Sequence, residues 1–185
     1  FIFLLFNLII LVILKYMSNL KKLRINSIPN LAKEYFNKYQ LNQLDYDDQI
    51  NIIMQNNFAH PGSWQNSFKS LGVKSFDIVP NFELLQKNWI KKYNPKLKYN
   101  YLNTILKQIS YYKPNVIFIY AGAFTDSFPI DLRKDLKKKF PFIKILTGLW
   151  GDHLIGSDYK SSFKDLDFIF TNCKILENEI NNHGL

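Results

Sequence analysis

Three strand-like runs separated by helical segments, all within residues 115–171, constrain the fold more than any other part of the sequence. Residues 116–120 (VIFIY) are a continuous run of β-branched and aromatic side chains, and residues 142–146 and 167–171 are also strand-like. Continuous runs of this kind are typical of strands buried on both faces, as in parallel sheets. Between them, Leu132 and Leu136 fall on one stripe of a helix. This alternation predicts right-handed crossovers and a parallel sheet.

The upstream half of the chain extends this pattern. Residues 23–28 alternate apolar and polar side chains, and residues 75–79 form a second short run; Pro29 and Pro80 end them. The intervening helices are predicted to begin at capping side chains, namely Asp47 or Asp48, Ser63 and Asn81. Gly72 is predicted to end one of them. The expected fold class is therefore α/β, a doubly wound parallel sheet of about five strands with helices on both faces.

The N-terminal residues 1–16 are expected to be a hydrophobic leader outside the fold, and residues 17–185 a single domain. Residues 1–14 are apolar except for Asn7, but a bilayer span needs about 20 residues. A secretory signal would begin with basic residues, which are absent here. Three interpretations stay open: translated upstream sequence, the end of a truncated membrane helix, or a true hydrophobic anchor.

Charge and cysteine content narrow the expected partners and compartment. The net charge is +9, but the lysines are dispersed, and the aromatic residues fall on helix stripes or strands. We therefore expect no nucleic-acid partner, because no basic face lined by aromatic rings is visible. Cys173 is the single cysteine and cannot form an internal disulfide, which favours a reducing, cytoplasmic location. Membrane contact is expected only through residues 1–14.

Candidate site residues follow from the rule that open parallel sheets bind ligands beyond the carboxyl ends of their strands. His60 precedes a Pro-Gly-Ser turn and is a candidate general base, and Asp152 is a candidate for orienting a hydroxyl or accepting its proton. The alternatives are an ordinary surface turn at His60 and a turn near Asp152 whose tryptophan packs inward. The candidate substrate-binding residues are Ser63, Tyr120, Asp126, Trp150, Gly151 and His153.

Several motifs of cofactor enzymes are absent from the sequence. There is no G-x-G-x-x-G after the first strand and no Walker A motif, and no spacing of His, Cys and carboxylates suggests a metal site. The Asp-Leu-Asp at residues 165–167 precedes its strand and would lie at the wrong end of the sheet. No cofactor and no metal are therefore expected.

Seven segments together resemble a known family in their order and spacing. They are LRINSI (23–28), YDDQ (46–49), SFKSLG (67–72), NFELLQKNW (81–89), KPNVIF (113–118), FPFIKILTG (140–148) and FKDLDFIFT (163–171). They resemble the N-terminal half of bacterial GT-B glycosyltransferases related to spore-maturation (CgeB-like) proteins. The resemblance covers residues 21–185, and each motif by itself is of low specificity.

The resemblance implies a Rossmann-like domain that holds the sugar acceptor, while a second domain holds the nucleotide-sugar donor as co-substrate. On this interpretation the chain is a fragment, inactive without the donor-binding half. The family pattern assigns no catalytic residue at residues 150–153 and no base at His60. The alternative is a stand-alone flavodoxin-like module that binds or regulates without catalysis, because a fold does not set a function.

Overall fold

The computed structural model describes residues 19–28, 34, 36, 41–55, 61–120, 128–150, 163, 165–171 and 174–182. The strands are β1 (Lys21–Ile25), β2 (Lys74–Ile78), β3 (Val116–Tyr120), β4 (Ile145–Trp150) and β5 (Phe168–Thr171). They form one five-stranded sheet in the order β2-β1-β3-β4-β5, and every neighbouring pair is parallel. The predicted α/β, Rossmann-like fold class is confirmed. The predicted leader lies outside the described residues.

Helices flank this sheet on both faces. They are α1 (Tyr46–Gln55), α2 (Pro61–Ser70), α3 (Glu83–Tyr93), α4 (Tyr101–Tyr112), α5 (Ile130–Arg133), α6 (Leu136–Lys139) and α7 (Lys174–Asn182). A short 3-10 helix, Leu41–Gln43, precedes α1. In the part of the chain that the structure describes, none of the helices combines the length and hydrophobicity needed to cross a bilayer.

Two hydrophobic clusters hold these layers together. The first joins Leu23 and Ile25 of β1 to Ile105 and Ile109 of α4. The second contains α1 and α3 residues and packs around the ends of β1 and β2, with Trp89 near its centre and only 1% exposed. Burying one such aliphatic or aromatic side chain contributes about 1.5–3 kcal/mol relative to leaving it in water.

The predicted strand positions are correct, with shifts at their ends. The limits of β3 are as predicted, whereas β4 begins three residues later than residue 142 and continues to Trp150. Strand β4 begins late because a turn precedes it, in which the Ile143 amide donates to the Phe140 carbonyl at 2.9 Å. The Lys144 and Ile145 amides then both donate to the Asn115 carbonyl, at 2.8 and 3.1 Å, which sets the start of β4 beside β3.

The predicted helix caps were wrong at three positions. Asp45 caps α1, since its Oδ1 accepts from the amides of Asp47 and Asp48 at 2.8 and 3.1 Å. Helix α2 begins at Pro61, so Ser63 lies in its first turn and does not cap it. Helix α3 has no side-chain cap, because Asn81 bonds elsewhere. A second cap, on α4, comes from Asn100, whose side chain accepts from the Asn103 amide.

The predicted end of α2 at Gly72 is confirmed. Gly72 has φ +73°, a left-handed conformation that a residue without Cβ adopts at no steric cost. The Val73 amide donates to the Phe68 carbonyl at 2.9 Å, which closes the helix end and leads directly into β2.

The single helix predicted to contain Leu132 and Leu136 is instead two short helices, α5 and α6. Asp135 separates them with φ +59°, so the helical hydrogen-bond ladder is interrupted there. Both leucines nevertheless pack into the first cluster, as a shared helix stripe would have placed them.

Candidate binding site at the carboxyl edge of the sheet

The strand order defines a switch point between β1 and β3. The chain moves from β1 to β2 on one side and then returns to add β3, β4 and β5 on the other side. The connections that leave the carboxyl ends of β1 and β3 therefore diverge, and doubly wound sheets bind ligands in the crevice left between such connections. The described residues at this edge include Asn26, Ser27 and Ile28 after β1, and Tyr120 at the end of β3.

On the β2 side of this crevice, the Asn81 side chain links the segment after β2 to the segment after β1. Its Oδ1 accepts from the Ile28 amide at 3.1 Å, and its Nδ2 donates to the Ile28 carbonyl at 3.0 Å. The Asn26 amide also donates to the Ile78 carbonyl at 2.9 Å. The segment after β1 is thus held to the segment after β2 beyond the last paired residues of both strands.

Tyr120 and Trp150 both lie at this edge, but on opposite faces of the sheet. Tyr120 pairs with Leu149 across β3 and β4, so Trp150 is one residue further and points the other way. The Trp150 ring packs edge-to-face on Phe163, with centroids 5.3 Å apart, and joins the first hydrophobic cluster. Trp150 was predicted in the loop after the strand and is instead the last residue of β4. A single small ligand resting on one face would meet only one of these two rings.

The remaining candidate residues fall largely outside the described residues. These are His60, Asp126, Gly151, Asp152 and His153. Ser63 is described only as a helical residue of α2. The catalytic assignments for His60 and Asp152 therefore stay predictions.

A row of polar side chains beneath this edge gave only a weak signal in the sequence and was not predicted. Lys22, Arg24 and Asn26 alternate along β1 on one face, and each is at most 4% exposed. Arg24 Nε donates to Asp77 Oδ1 in a buried ion pair, and Asn26 Nδ2 donates to the same oxygen at 3.0 Å. The only sequence signal was the alternation of residues 22–26 together with one carboxylate, Asp77, in β2.

Asn26 is the last residue of this buried polar row and lies next to the switch point. Asn26 Oδ1 is buried, and among the described residues it has no hydrogen-bond partner. A buried carbonyl oxygen without a donor is costly, by about 1–3 kcal/mol. A hydroxyl or amide group of a bound molecule is one source of that donor.

At the other end of the row, the pKa of Lys22 is lowered from 10.5 to about 7. Burial is the main cause, the Arg24 charge acts in the same direction, and Asp77 partly opposes the shift. The Nζ atom lies 3.7 Å from the centre of the Phe68 ring and 5.1 Å from that of Phe118. Desolvation disfavours the charged amine, and the cation–π contacts with these two rings offset the cost of desolvation only in part. Among the described residues, no group of His, Cys, Asp and Glu could hold a metal ion.

Comparison with known proteins assigns no family to this chain. No protein-family model matches it, and neither the curated proteins nor the solved structures contain a significant match. A functional assignment therefore rests on the fold and on the geometry of the edge at β1 and β3.

Proposed function

We propose that the chain is the acceptor-side domain of a glycosyltransferase and that it holds the sugar acceptor at the carboxyl edge of β1 and β3. The observation that supports this proposal is the switch point of the sheet, with Tyr120 on one side and the buried Asn26 Oδ1 on the other. The order of the seven segments that resemble GT-B enzymes supplies the reaction class. The co-substrate is then a nucleotide-sugar, and no metal or resident cofactor is invoked.

The chemistry requires a positioned acceptor hydroxyl and a base. The hydroxyl oxygen attacks the anomeric carbon of the donor, a new glycosidic C–O bond forms, and the bond to the leaving diphosphate breaks. A base removes the hydroxyl proton, a role for which His60 and Asp152 are the candidates. The acceptor-side domain contributes orientation, which is worth several kcal/mol when reacting atoms are held in place.

A titration of the ¹⁵N-labelled chain tests where an acceptor binds. Methyl glycosides and short oligosaccharides are added first, and UDP-glucose and FMN are added to separate samples. An acceptor domain predicts shifts of the Ser27, Ile28 and Tyr120 amides with a saccharide. Replacement Tyr120→Ala removes these shifts, whereas Leu102→Ala, an exposed change on α4 (45% exposed), leaves them. The proposal fails if no saccharide moves these amides.

A second candidate function rests on the strand order itself. The order β2-β1-β3-β4-β5 is that of flavodoxin-like proteins, whose ligands also bind at the switch point between the first and third strands. This favours a stand-alone module that binds a ligand without catalysis. Shifts of the same amides with FMN or UDP-glucose, and none with saccharides, would select this candidate over the acceptor domain.

A further inference from the structure

A cavity of about 470 Å³ lies beside β2, the strand at one margin of the sheet. The cavity is lined by residues of β2, α1, α3 and α4, with Lys21 of β1 and Gln65 of α2. The lining residues of β2 and the three helices include Tyr46, Ser75, Asp77, Tyr93, Tyr111 and Tyr112. Its volume falls within the range of about 300–1,000 Å³ that is typical of small-molecule sites. It lies near the first residues of β1 and β2, at the far end of the strands from the carboxyl edge.

One wall of this cavity is a continuous aromatic surface. The Tyr93 and Tyr111 ring centroids are 5.1 Å apart, and those of Tyr111 and Tyr112 are 5.2 Å apart. The Phe76 ring stacks on Tyr112 at 4.6 Å. Tyr111 is nonetheless 51% exposed, so this wall remains open to a ligand. A rigid aromatic wall favours a ligand with a flat or apolar face.

The opposite side of the cavity is polar and belongs to the open edge of β2. The Lys74 amide and the Ile78 carbonyl both bond to the segment that contains β1, through Leu20 and Asn26. Backbone groups alternate along a strand, so those of Ser75 and Asp77 point away from β1, toward the cavity.

The two carboxylates that line the cavity are already paired, so neither is free for a cationic ligand. The carboxylate of Asp47 is already engaged by Lys92 at 2.7 Å and by the Tyr93 hydroxyl at 2.6 Å. Asp77 is likewise engaged by Arg24. What remains is a set of hydrogen-bonding groups of both kinds facing an aromatic wall, with Lys21 as an additional donor to a hydroxyl oxygen. A ligand that offers several hydroxyls along one face and C–H groups along the other satisfies both sides at once.

We propose that this cavity binds a neutral pyranose ring, which stacks on Tyr111 and hydrogen-bonds to the edge of β2. The site is separate from the carboxyl edge and does not depend on the proposed function. A pyranoside fits better than a planar aromatic ring, because its hydroxyls can both donate to and accept from the backbone groups of Ser75 and Asp77.

Titration of the ¹⁵N-labelled chain with methyl β-glucopyranoside tests the site, with adenosine as a planar comparison probe. The glycoside is expected to shift the amides of Ser75, Tyr93 and Tyr111. Replacement Tyr111→Ala weakens this binding by about three- to tenfold, the loss expected for one stacked ring. Replacement Leu102→Ala on the same helix is the matched control, since Leu102 is similarly exposed (45%) and does not line the cavity.

The outcomes separate this inference from the proposed function. Glycoside shifts at Ser75 and Tyr111 that weaken in Tyr111→Ala support the site, whatever happens at Tyr120. Shifts confined to Ser27, Ile28 and Tyr120 overturn it and favour the acceptor site at the carboxyl edge instead. Shifts of the cavity amides by adenosine alone overturn the ligand class, and the absence of any shift with either probe overturns the site. Gln65→Ala, a second lining change on α2, repeats the test if Tyr111→Ala does not fold.

Discussion

The two faces of β1 are equally buried but chemically opposite. On one face Leu23 and Ile25 are 0% exposed and pack on apolar side chains of α4. On the other, Arg24 and Asn26 are each 1% exposed and meet Asp77 of β2. Alternating apolar and polar residues in a sequence ordinarily indicate a strand with one buried face and one solvent-exposed face. Here it marks a central strand whose polar face is enclosed and internally paired.

This difference shows what each face requires of its neighbours. The apolar face needs only volume and close contact, which many combinations of side chains supply. The polar face needs particular partners at particular register positions, because a buried charge left without its partner costs about 3–5 kcal/mol. Arg24 pairs in register with Asp77, so the polar face also fixes how β2 is placed beside β1. Four predictions test this contrast: three substitutions in order of their expected loss of stability, and then a dependence on pH.

The largest effect is expected from Asp77→Ala. Removing the carboxylate leaves the guanidinium of Arg24 buried without its ion-pair partner, which costs about 3–5 kcal/mol in the free energy of unfolding. Urea unfolding followed by far-ultraviolet circular dichroism measures it.

Two further variants control this measurement. Lys87→Ala removes an exposed ion pair with Glu83 and should change the free energy of unfolding far less. The double change Arg24→Met with Asp77→Leu should recover most of the loss, since both charges are removed together. A loss from Asp77→Ala no larger than that from Lys87→Ala would show that the polar face does not need its ion pair.

On the apolar face, Ile25→Ala is expected to lower the free energy of unfolding by about 2–5 kcal/mol. Ile25 is 0% exposed within the first cluster, so the deleted atoms leave a cavity that neighbouring strands can fill only partly. The milder Ile25→Val should cost about 0.5–1.5 kcal/mol. If both variants lowered the free energy of unfolding by the same amount, the size of the cavity would not explain the loss. Close packing would then not be what stabilises the apolar face.

A smaller effect is expected where the polar contacts continue past the ends of the strands. Asn81→Ala removes both hydrogen bonds to Ile28 and leaves a buried segment with an amide and a carbonyl unpaired. We expect the free energy of unfolding to fall by about 1–3 kcal/mol. In the variant, hydrogen exchange should accelerate more at the Ile28 amide than at the Ile25 amide. Unchanged exchange at Ile28 would contradict the role given to Asn81.

Asn81 also illustrates where sequence reasoning reaches its limit. A local pattern of Asn before an apolar helix predicts a cap, but the side chain bonds to Ile28, which is 53 residues away in sequence. Strand β3 was predicted at its true limits because a continuous apolar run needs no knowledge of its neighbours. The pairing of Arg24 with Asp77 depends on which strands become adjacent, and no local pattern specifies that adjacency.

The candidate site was also predicted only in part from the sequence. The rule for open parallel sheets placed Tyr120 and Trp150 at the correct edge. It did not reveal that they lie on opposite faces, because that depends on the register of β3 with β4, in which Tyr120 pairs with Leu149. The aromatic cavity beside β2 was not predicted at all, since its tyrosines come from three different helices and each is unremarkable within its own helix.

The last prediction concerns a dependence on pH, because the buried amine of Lys22 makes the polar face sensitive to it. Its pKa in the folded chain is about 7, below the unfolded value of 10.5, so between these values the unfolded chain binds more protons. The free energy of unfolding should therefore rise with pH from 7 toward 10 and show no contribution from Lys22 to its slope below pH 7. Tyr46 and Tyr112 oppose this rise as pH nears 10, because burial raises their pKa and only their unfolded phenols ionise there. The slope is therefore measured between pH 7 and about 9. Lys22→Met should raise the free energy of unfolding at pH 7 and flatten the rise, whereas Lys74→Met, an exposed change at the start of β2, should leave it intact. An unchanged slope in Lys22→Met would mean that the amine of Lys22 stays hydrated in the folded chain, and the polar face would then be less enclosed than the apolar one.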